Sequence, residues 1–446
     1  MTTFTRSIAL PVRAEQAFDW HERPGAFARL TPPWENVQLV EHHGGIKNGA
    51  KVVVRIQPLP GVTFHAVYRH TDYKYGEQFV DIQERGPFKT WRHEHRFHAD
   101  GDQCVLEDHI EFEGPPLSNR LVLQRLDRMF RYRHAMTVAD LAYESRFGLI
   151  RPQTVLVSGA SGLVGQALVA RLTTRGHQVK KLGRHPKADR MTWNPTAGKM
   201  PADALENVDA IIHLAGESIA QRWSPKIKDR ILRSRVDGAQ LLVDAALELG
   251  QPINYISASG INIYANNGEM LSDEMSPHGD GFLADVCKVW EDAASPLQDP
   301  GMPVTMMRTG VVMSQKGGAL KKMLPAFKSG VAGRMGSGKQ HMSWIAIDDL
   351  VDQYLLALEQ PTFRGTINNV APEPVSNEAF TQIMGQVLQR PTLLPAPAPA
   401  IKWLFGEMAE ETVLADLPVV PARLQTEAYP WRQAKLADCL RHELGV

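Results

Sequence analysis

The sequence predicts an α/β protein built on a doubly wound parallel sheet, with an α+β domain ahead of it and a small helical tail behind. Three observations predict this. Thr154–Gly176 (TVLVSGASGLVGQALVARLTTRG) reads as strand, glycine turn and amphipathic helix in succession. From Arg151-Pro152 onward, short apolar runs alternate with stretches of helical period, the signature of βαβ units. Ahead of that boundary, extended runs separated by turn residues lead into one long helical stretch. The boundaries read as 1–148 for the first domain, 151–392 for the second and 393–446 for the tail.

In the first domain Phe4–Leu10 reads as a strand and Arg13–Leu30 as one or two helices broken at Pro24-Gly25. Strands are expected at Lys51–Ile56, Thr63–Asp72, Tyr75–Gln83, Thr90–Ala99 and Gln103–Phe112, and a helix over Leu117–Phe147, capped near Ser118. This pattern suggests a curved sheet wrapped around the helix. Trp91, His93 and His95 alternate and so share one face of their strand. Imidazoles suit zinc or copper, but no carboxylate or cysteine stands beside them at metal-site spacing, so the sequence reading assigns no metal.

The second domain opens on the dinucleotide-binding pattern. Gly159 permits a tight turn, Gly162 lets backbone approach a pyrophosphate and Gly165 allows close helix–strand packing. The helix start around Ser161 and Leu163 offers N–H groups and a positive dipole end to phosphate. The next strand, Gln178–Leu182, ends in Gly183-Arg184 where NAD-binding chains place an acid for the ribose 2′-OH. An arginine there suits a 2′-phosphate, so NADP(H) is the expected cofactor.

Farther along, strands are read at Asp209–Gly216, Asn254–Ser259, Val304–Met313 and Gly365–Val370, and helices at Trp223–Leu249, Gly281–Ala294 and from Asn377. The glycine- and lysine-rich stretch before Lys339 contains GRMGSGK, which lacks the full phosphate-loop pattern and reads as a substrate-side loop. PTLLPAPAPA from Pro391 is a proline-rich connector.

Composition sets bounds on the rest. Lys+Arg and Asp+Glu each total 49, which argues against nucleic acid as a partner. No run reaches the ~18 apolar residues of a membrane span. Cys104, Cys287 and Cys439 are far apart, as suits a reducing compartment, and a cytoplasmic protein is expected. The expected partner is a small, apolar substrate or ligand; an oligomer is compatible with the chain.

The GxxGxxG spacing resembles the extended short-chain dehydrogenase/reductases, and DAIIHLAG resembles their HxAG element, which implies that backbone at Leu214 and Ala215 lies against the cofactor. Arg235 takes the place of an asparagine in their N-V-x-G-T element. Ser259, in YISASG, matches their catalytic serine, whereas Leu283 and Cys287 fall where their Tyr-x-x-x-Lys pair would be. Tyr264 is the candidate substitute proton donor, with Asp285 and Cys287 weaker candidates.

RTGVV, MLPAFKSGVAGRMGSGKQ, WIAIDD, NNVAPEPVSNEAF and PARL together resemble the NADP-binding "epimerase family" proteins related to NAD-dependent epimerase/dehydratases, which end in a small helical domain of unknown role. That resemblance implies NADP(H) contacts around Gly159–Leu163, Gly183-Arg184, Leu214-Ala215, Arg235 and Val312. The first 148 residues, through ALPVRAEQAFDW and GPFKTWRHEHRF, resemble the START-like (polyketide-cyclase-like) superfamily, which implies an apolar cavity between sheet and helix. Two functions follow as expectations: an NADP(H)-dependent oxidoreductase or epimerase-like enzyme, or a non-catalytic NADPH sensor that lacks the Tyr/Lys pair.

Overall fold

Alternation of part-buried and exposed side chains begins at once, in strand β1 (Thr2–Leu10), the period-two pattern of a strand with one packed face. The computed structural model describes the whole chain except residues 60, 115–117, 149, 267–269, 300 and 361 and the side chains of 58 and 59. It divides into two compact units, Met1–Arg151 with Ala170–Gly176 and Gly445, and Pro152–Val169 with His177–Leu444 and Val446.

In the first unit, α1 (Ala14–Glu22) and α2 (Ala26–Leu30) follow β1, separated near Pro24 as the sequence indicates. Strands β2 (Val37–His43), β3 (Lys51–Leu59), β4 (Val62–Lys74), β5 (Gln78–Arg85), β6 (Thr90–Asp100) and β7 (Gln103–Glu113) then lead to α3 (Asn119–Phe147). The start expected for that helix, Leu117, lies outside the described residues. All seven strands form one antiparallel sheet, ordered β1-β7-β6-β5-β4-β3-β2. Ile110 and Phe112 of β7 pack with Leu126 and Phe130 of α3, and Phe18, Phe79, Phe97 and Leu141 extend the apolar core. Strand β2 escapes the sequence reading. It is an edge strand exposed along almost its whole length, so it has no buried face to produce alternation.

In the second unit, β8 (Thr154–Ser158), α4 (Leu163–Arg175), β9 (Gln178–Gly183), β10 (Met191–Thr192), β11 (Ala210–His213), α5 (Pro225–Leu249), β12 (Asn254–Gly260), α6 (Phe282–Asp292) and β13 (Val304–Thr309) follow in order. The stretch expected as one strand over Val304–Met313 is two, because Gly310 breaks it before β14 (Val311–Met313). A side chain at Gly310 would lie 2.6 Å from the Ser343 carbonyl oxygen. Next come α7 (Gly318–Lys328), β15 (His341–Met342), β16 (Trp344–Ala346), α8 (Ile347–Glu359), β17 (Gly365–Asn369), β18 (Val375–Ser376) and α9 (Asn377–Leu388). The tail carries α10 (Ala398–Phe405), α11 (Glu407–Glu411), α12 (Ala422–Thr426) and α13 (Leu436–Leu444).

The main sheet runs β10-β9-β8-β11-β12-β13-β17 and is parallel throughout. Its order reverses between β8 and β11, so the carboxyl ends of those strands flank the crevice where such sheets bind ligands. Their side chains are almost wholly buried, as a sheet covered on both faces requires. The tail is anchored in this unit. Leu436, Cys439, Leu440 and Leu444 share a core with Leu320, Phe327, Phe380 and Met384.

Candidate active site

The candidate residues stand at or just after the carboxyl ends of the sheet strands: Gly159 after β8, Gly183 at the end of β9, Leu214 after β11, Ser259 near the end of β12 and Arg308 near the end of β13. Gly159 follows β8 with φ +74°, and a Cβ on it would lie 2.8 Å from the carbonyl carbon of Leu214 and the nitrogen of Ala215. Only glycine fits both the dihedral and the gap. A Cβ on Gly165 would lie 2.3 Å from the Gly159 carbonyl oxygen, so the first turn of α4 is pressed against the loop. Gly162 donates its N–H to the Gly159 oxygen at 2.9 Å. Gln166 reaches back to the Ser161 carbonyl at 2.7 Å. Leu163 lies against Gly317 and Gly318, which follow the strand that carries Val312. Two of the expected glycine roles are thus seen as geometry: the tight turn at Gly159 and the close helix packing at Gly165.

Gly183 ends β9, and Arg184 beside it is exposed. Arg184 lines a cleft of about 590 Å³ with Thr192, Trp193, Asn194, Lys199, Met200 and Pro201. That lining holds two cations and no carboxylate. Arg190, which the sequence reading passed over, runs alongside Gly183, where a Cβ would meet its Cδ at 2.8 Å.

Arg235 is not a surface arginine. Its guanidinium donates to the carbonyls of Glu217 (3.1 Å) and Ile231 (2.9 Å), lies 5.1 Å from the Trp290 ring centroid and packs on Gly216. Burial lowers its pKa from the usual arginine value. In this position it braces the loop that follows Leu214 and Ala215.

Ser259 and Tyr264 belong to one buried network. Ser259 donates to Glu291 Oε1 at 2.6 Å. Arg308, at the end of β13, forms a two-pronged pair with Glu291 (2.9 and 2.7 Å) and donates to the Tyr264 hydroxyl at 2.9 Å and to His278 Nε2 at 3.2 Å. Tyr264 in turn donates to Asn368 Oδ1 at 2.7 Å. Burial alone would lower the Arg308 pKa, but the bond to Glu291 outweighs it and raises it. Burial raises the Tyr264 pKa more than Arg308 and Asn368 lower it.

Cys287 is buried beside Gly260, and burial pushes its thiol up to about 11, which argues against a nucleophile. Asp285 pairs with Lys288 on the exposed side of α6. The tail closes over this network. Glu411 accepts the N–H groups of Phe282 and Leu283 at the start of α6, and Ala415, Leu417 and Val419 pack with Tyr264 and Cys287.

Sequence reasoning missed Glu291, Arg308 and Asn368. Arg308 carried a signal, since a charge inside the apolar run VTMMRTGVV must find a buried partner. The identity of that partner was not readable from spacing.

The first unit holds a cavity of its own, about 440 Å³, lined by apolar side chains including Phe27, Leu30, Val54, Phe64, Phe88 and Trp91, and by a polar group at Asp81, His93 and His95. The expectation that no carboxylate stands beside these histidines at metal-site spacing is drawn from the linear sequence, and pairing across strands changes it. Strand register sets Asp81 opposite His93 and Asp108 opposite His95.

A parallel sheet of this order, with a glycine-turned βα unit at its switch point, defines a Rossmann-type protein of the short-chain dehydrogenase class. Residues 155–371 match the NAD dependent epimerase/dehydratase family, and residues 396–443 match a domain of unknown function. An epimerase family protein of Mycobacterium bovis is 37% identical over 289 residues, 64% of this chain and 96% of that one. The chain belongs to the epimerase family.

Among solved structures, a nucleoside-diphosphate sugar epimerase from Corynebacterium glutamicum aligns with TM-score 0.84 and 33% identity over 99% of this chain and 90% of its own, a likeness that takes in both units. The human epimerase family protein SDR39U1, solved with NADPH, aligns with TM-score 0.61 and 33% identity over 66% of this chain and 100% of its own. Among the described residues no helix is long and apolar enough to cross a membrane.

Proposed function

We propose that the protein is an NADP(H)-binding oxidoreductase or nucleotide-sugar-epimerase-like enzyme, with a START-like first domain that holds an apolar ligand. The observation that carries the cofactor reading is the glycine turn at the switch point of the sheet, where Gly159 takes φ +74° and packs backbone to backbone on Leu214 and Ala215 just before the start of α4. The pyrophosphate would rest on Gly159–Leu163 at the start of α4 and the 2′-phosphate beside Gly183 and Arg184, with Lys199 lining the same cleft. Arg235 and Val312 would bound the pocket. When bound, NADP(H) supplies or accepts a hydride. The NADPH in the human relative supports this reading.

Within the chain's own chemistry, Tyr264 is the proton carrier. Arg308 stands against its hydroxyl and pulls its pKa down, as the lysine of the usual Tyr-x-x-x-Lys pair does, although burial outweighs that pull and keeps the hydroxyl protonated at rest. Ser259 would orient a substrate oxygen once its proton turns away from Glu291. The cavity of the first unit supports an apolar ligand there, and the placement of Cys104, Cys287 and Cys439 as buried thiols suits a cytoplasmic protein.

A second reading, a non-catalytic NADPH-sensing or ligand-binding protein, draws on the same network: both hydroxyls are already committed to partners in the protein.

Titration with NADPH and NADH tests the cofactor. NADPH is expected to bind preferentially, and Arg184→Ala to weaken it by ~1.5–3 kcal/mol, about 10- to 150-fold, with NADH unaffected. Equal loss for both nucleotides would remove the 2′-phosphate contact. Turnover of NADPH with carbonyl substrates, compared in Ser259→Ala and Tyr264→Phe, separates enzyme from sensor.

A further inference from the structure

We propose that the first unit binds one divalent first-row transition metal through Asp81, His93 and His95, at the polar end of its apolar cavity. Asp81 Oδ2 lies 3.0 Å from His93 Nδ1 and 3.7 Å from His95 Nε2, and the three ligand atoms all fall within 4.8 Å of one another. Two ligands held tetrahedrally at ~2.0–2.1 Å from zinc stand roughly 3.3 Å apart, so these separations bracket a metal's coordination shell.

The strands dictate the arrangement. His93 and His95 are two residues apart on β6 and share a face, and antiparallel register sets Asp81 of β5 directly across from His93. A metal-binding imidazole needs its other nitrogen engaged, which fixes the ring and raises its basicity. Asp108 of β7 supplies this for His93 by a hydrogen bond, and stands close to His95 Nδ1 without one. Its Oδ1 lies 2.9 Å from His93 Nε2 and 2.8 Å from His95 Nδ1, and its Oδ2 is 2.7 Å from His134 Nε2 of α3. Phe79 stacks on His95 with centroids 4.1 Å apart and limits its rotation.

A second observation points to a ligand at the same place. His70, opposite Asp81 on β4, is 8% exposed, lines the same cavity, and its Nδ1 has no hydrogen-bond partner. Such a nitrogen is costly to bury without a partner. A metal with a water or ligand oxygen in its outward position would supply one.

Two imidazoles and one carboxylate with open positions are the donor set of catalytic zinc and non-haem iron(II) sites. The open side here faces the apolar cavity, so the site would take an oxygen donor (carbonyl, enolate or carboxylate) on an otherwise apolar ligand.

The test is metal binding by the full chain, stripped with chelator and carrying no affinity tag. Titration with Zn²⁺, and with Co²⁺ followed by its visible absorption, is expected to show one equivalent bound with micromolar or tighter affinity. His95→Ala and the near-isosteric Asp81→Asn are each expected to weaken binding at least 100-fold. Circular dichroism and unchanged fluorescence of the first unit's tryptophans, Trp20, Trp34 and Trp91, would show that both variants remain folded. No binding at 100 µM metal, or binding that survives both substitutions, would overturn the site. Loss of NADPH binding in the wild type bears on the cofactor reading alone.

Discussion

Replacing Glu291 by alanine is expected to destabilise the second unit by about 3–5 kcal/mol, the cost of removing one partner of a buried ion pair. Arg308 is 4% exposed, and its remaining partners, the Tyr264 hydroxyl and His278 Nε2, cannot match the carboxylate's charge. Ser259 would lose its acceptor in the same step. Urea unfolding followed by tryptophan fluorescence reads the effect, with Trp290 adjacent in sequence as a reporter. Glu291→Gln keeps oxygen and shape and is expected to cost less. The double variant Glu291→Ala/Arg308→Met, which removes both charges, is expected to recover much of the loss. If Glu291→Ala stays within about 1 kcal/mol of wild type, the network is a solvated pair and not the rigid support of Ser259 and Tyr264 described above.

That network also marks where sequence reading stops. Thr154–Gly176 was legible because its signals are local: an apolar run, glycines at fixed spacing and a helical period, each with one physical cause. Gly159 and Gly165 accordingly sit where those causes require. The network is assembled differently. Ser259, Glu291, Arg308 and Asn368 come from β12, α6, β13 and β17, and the parallel sheet brings them together across as many as 109 residues of chain. No spacing rule encodes that meeting.

The Asp81–His93 pairing is hidden for a related reason. Its residues are only 12 apart, but their alignment depends on hairpin register, and the neighbouring β4–β5 pair carries two register shifts. Edge strand β2 was invisible because exposure erased its alternation. What a sequence displays, then, is periodicity and turn chemistry. What it withholds is which polar side chains the register sets face to face.

Stability should also depend on pH through the tail. Glu443 of α13 is 3% exposed and accepts the Gln315 N–H at 2.9 Å. Burial first, then the nearby Asp348, raises its pKa to about 7, against the smaller opposing pulls of His442, the Gln315 N–H and Lys316. A folded-state pKa above the unfolded value means that the folded chain holds the proton more tightly. The stabilisation is therefore complete below about pH 4.5 and is lost as pH rises through about 7. Asp349 of α8 behaves in the same way. Burial raises it to about 7 although it accepts the N–H groups of Arg432 and Gln433.

Glu443→Gln cannot titrate and keeps an oxygen for Gln315. At pH 4 it should match the wild type, and at pH 8 it should be more stable by about 3 kcal/mol, since each tenfold difference in proton affinity between the folded and unfolded chain corresponds to about 1.36 kcal/mol. Thermal unfolding of the two proteins across this range reads the difference directly. A constant offset between them at every pH would mean that Glu443 stays charged in the folded tail, and that helix α13 docks through an ion pair and not through a neutral carboxyl group.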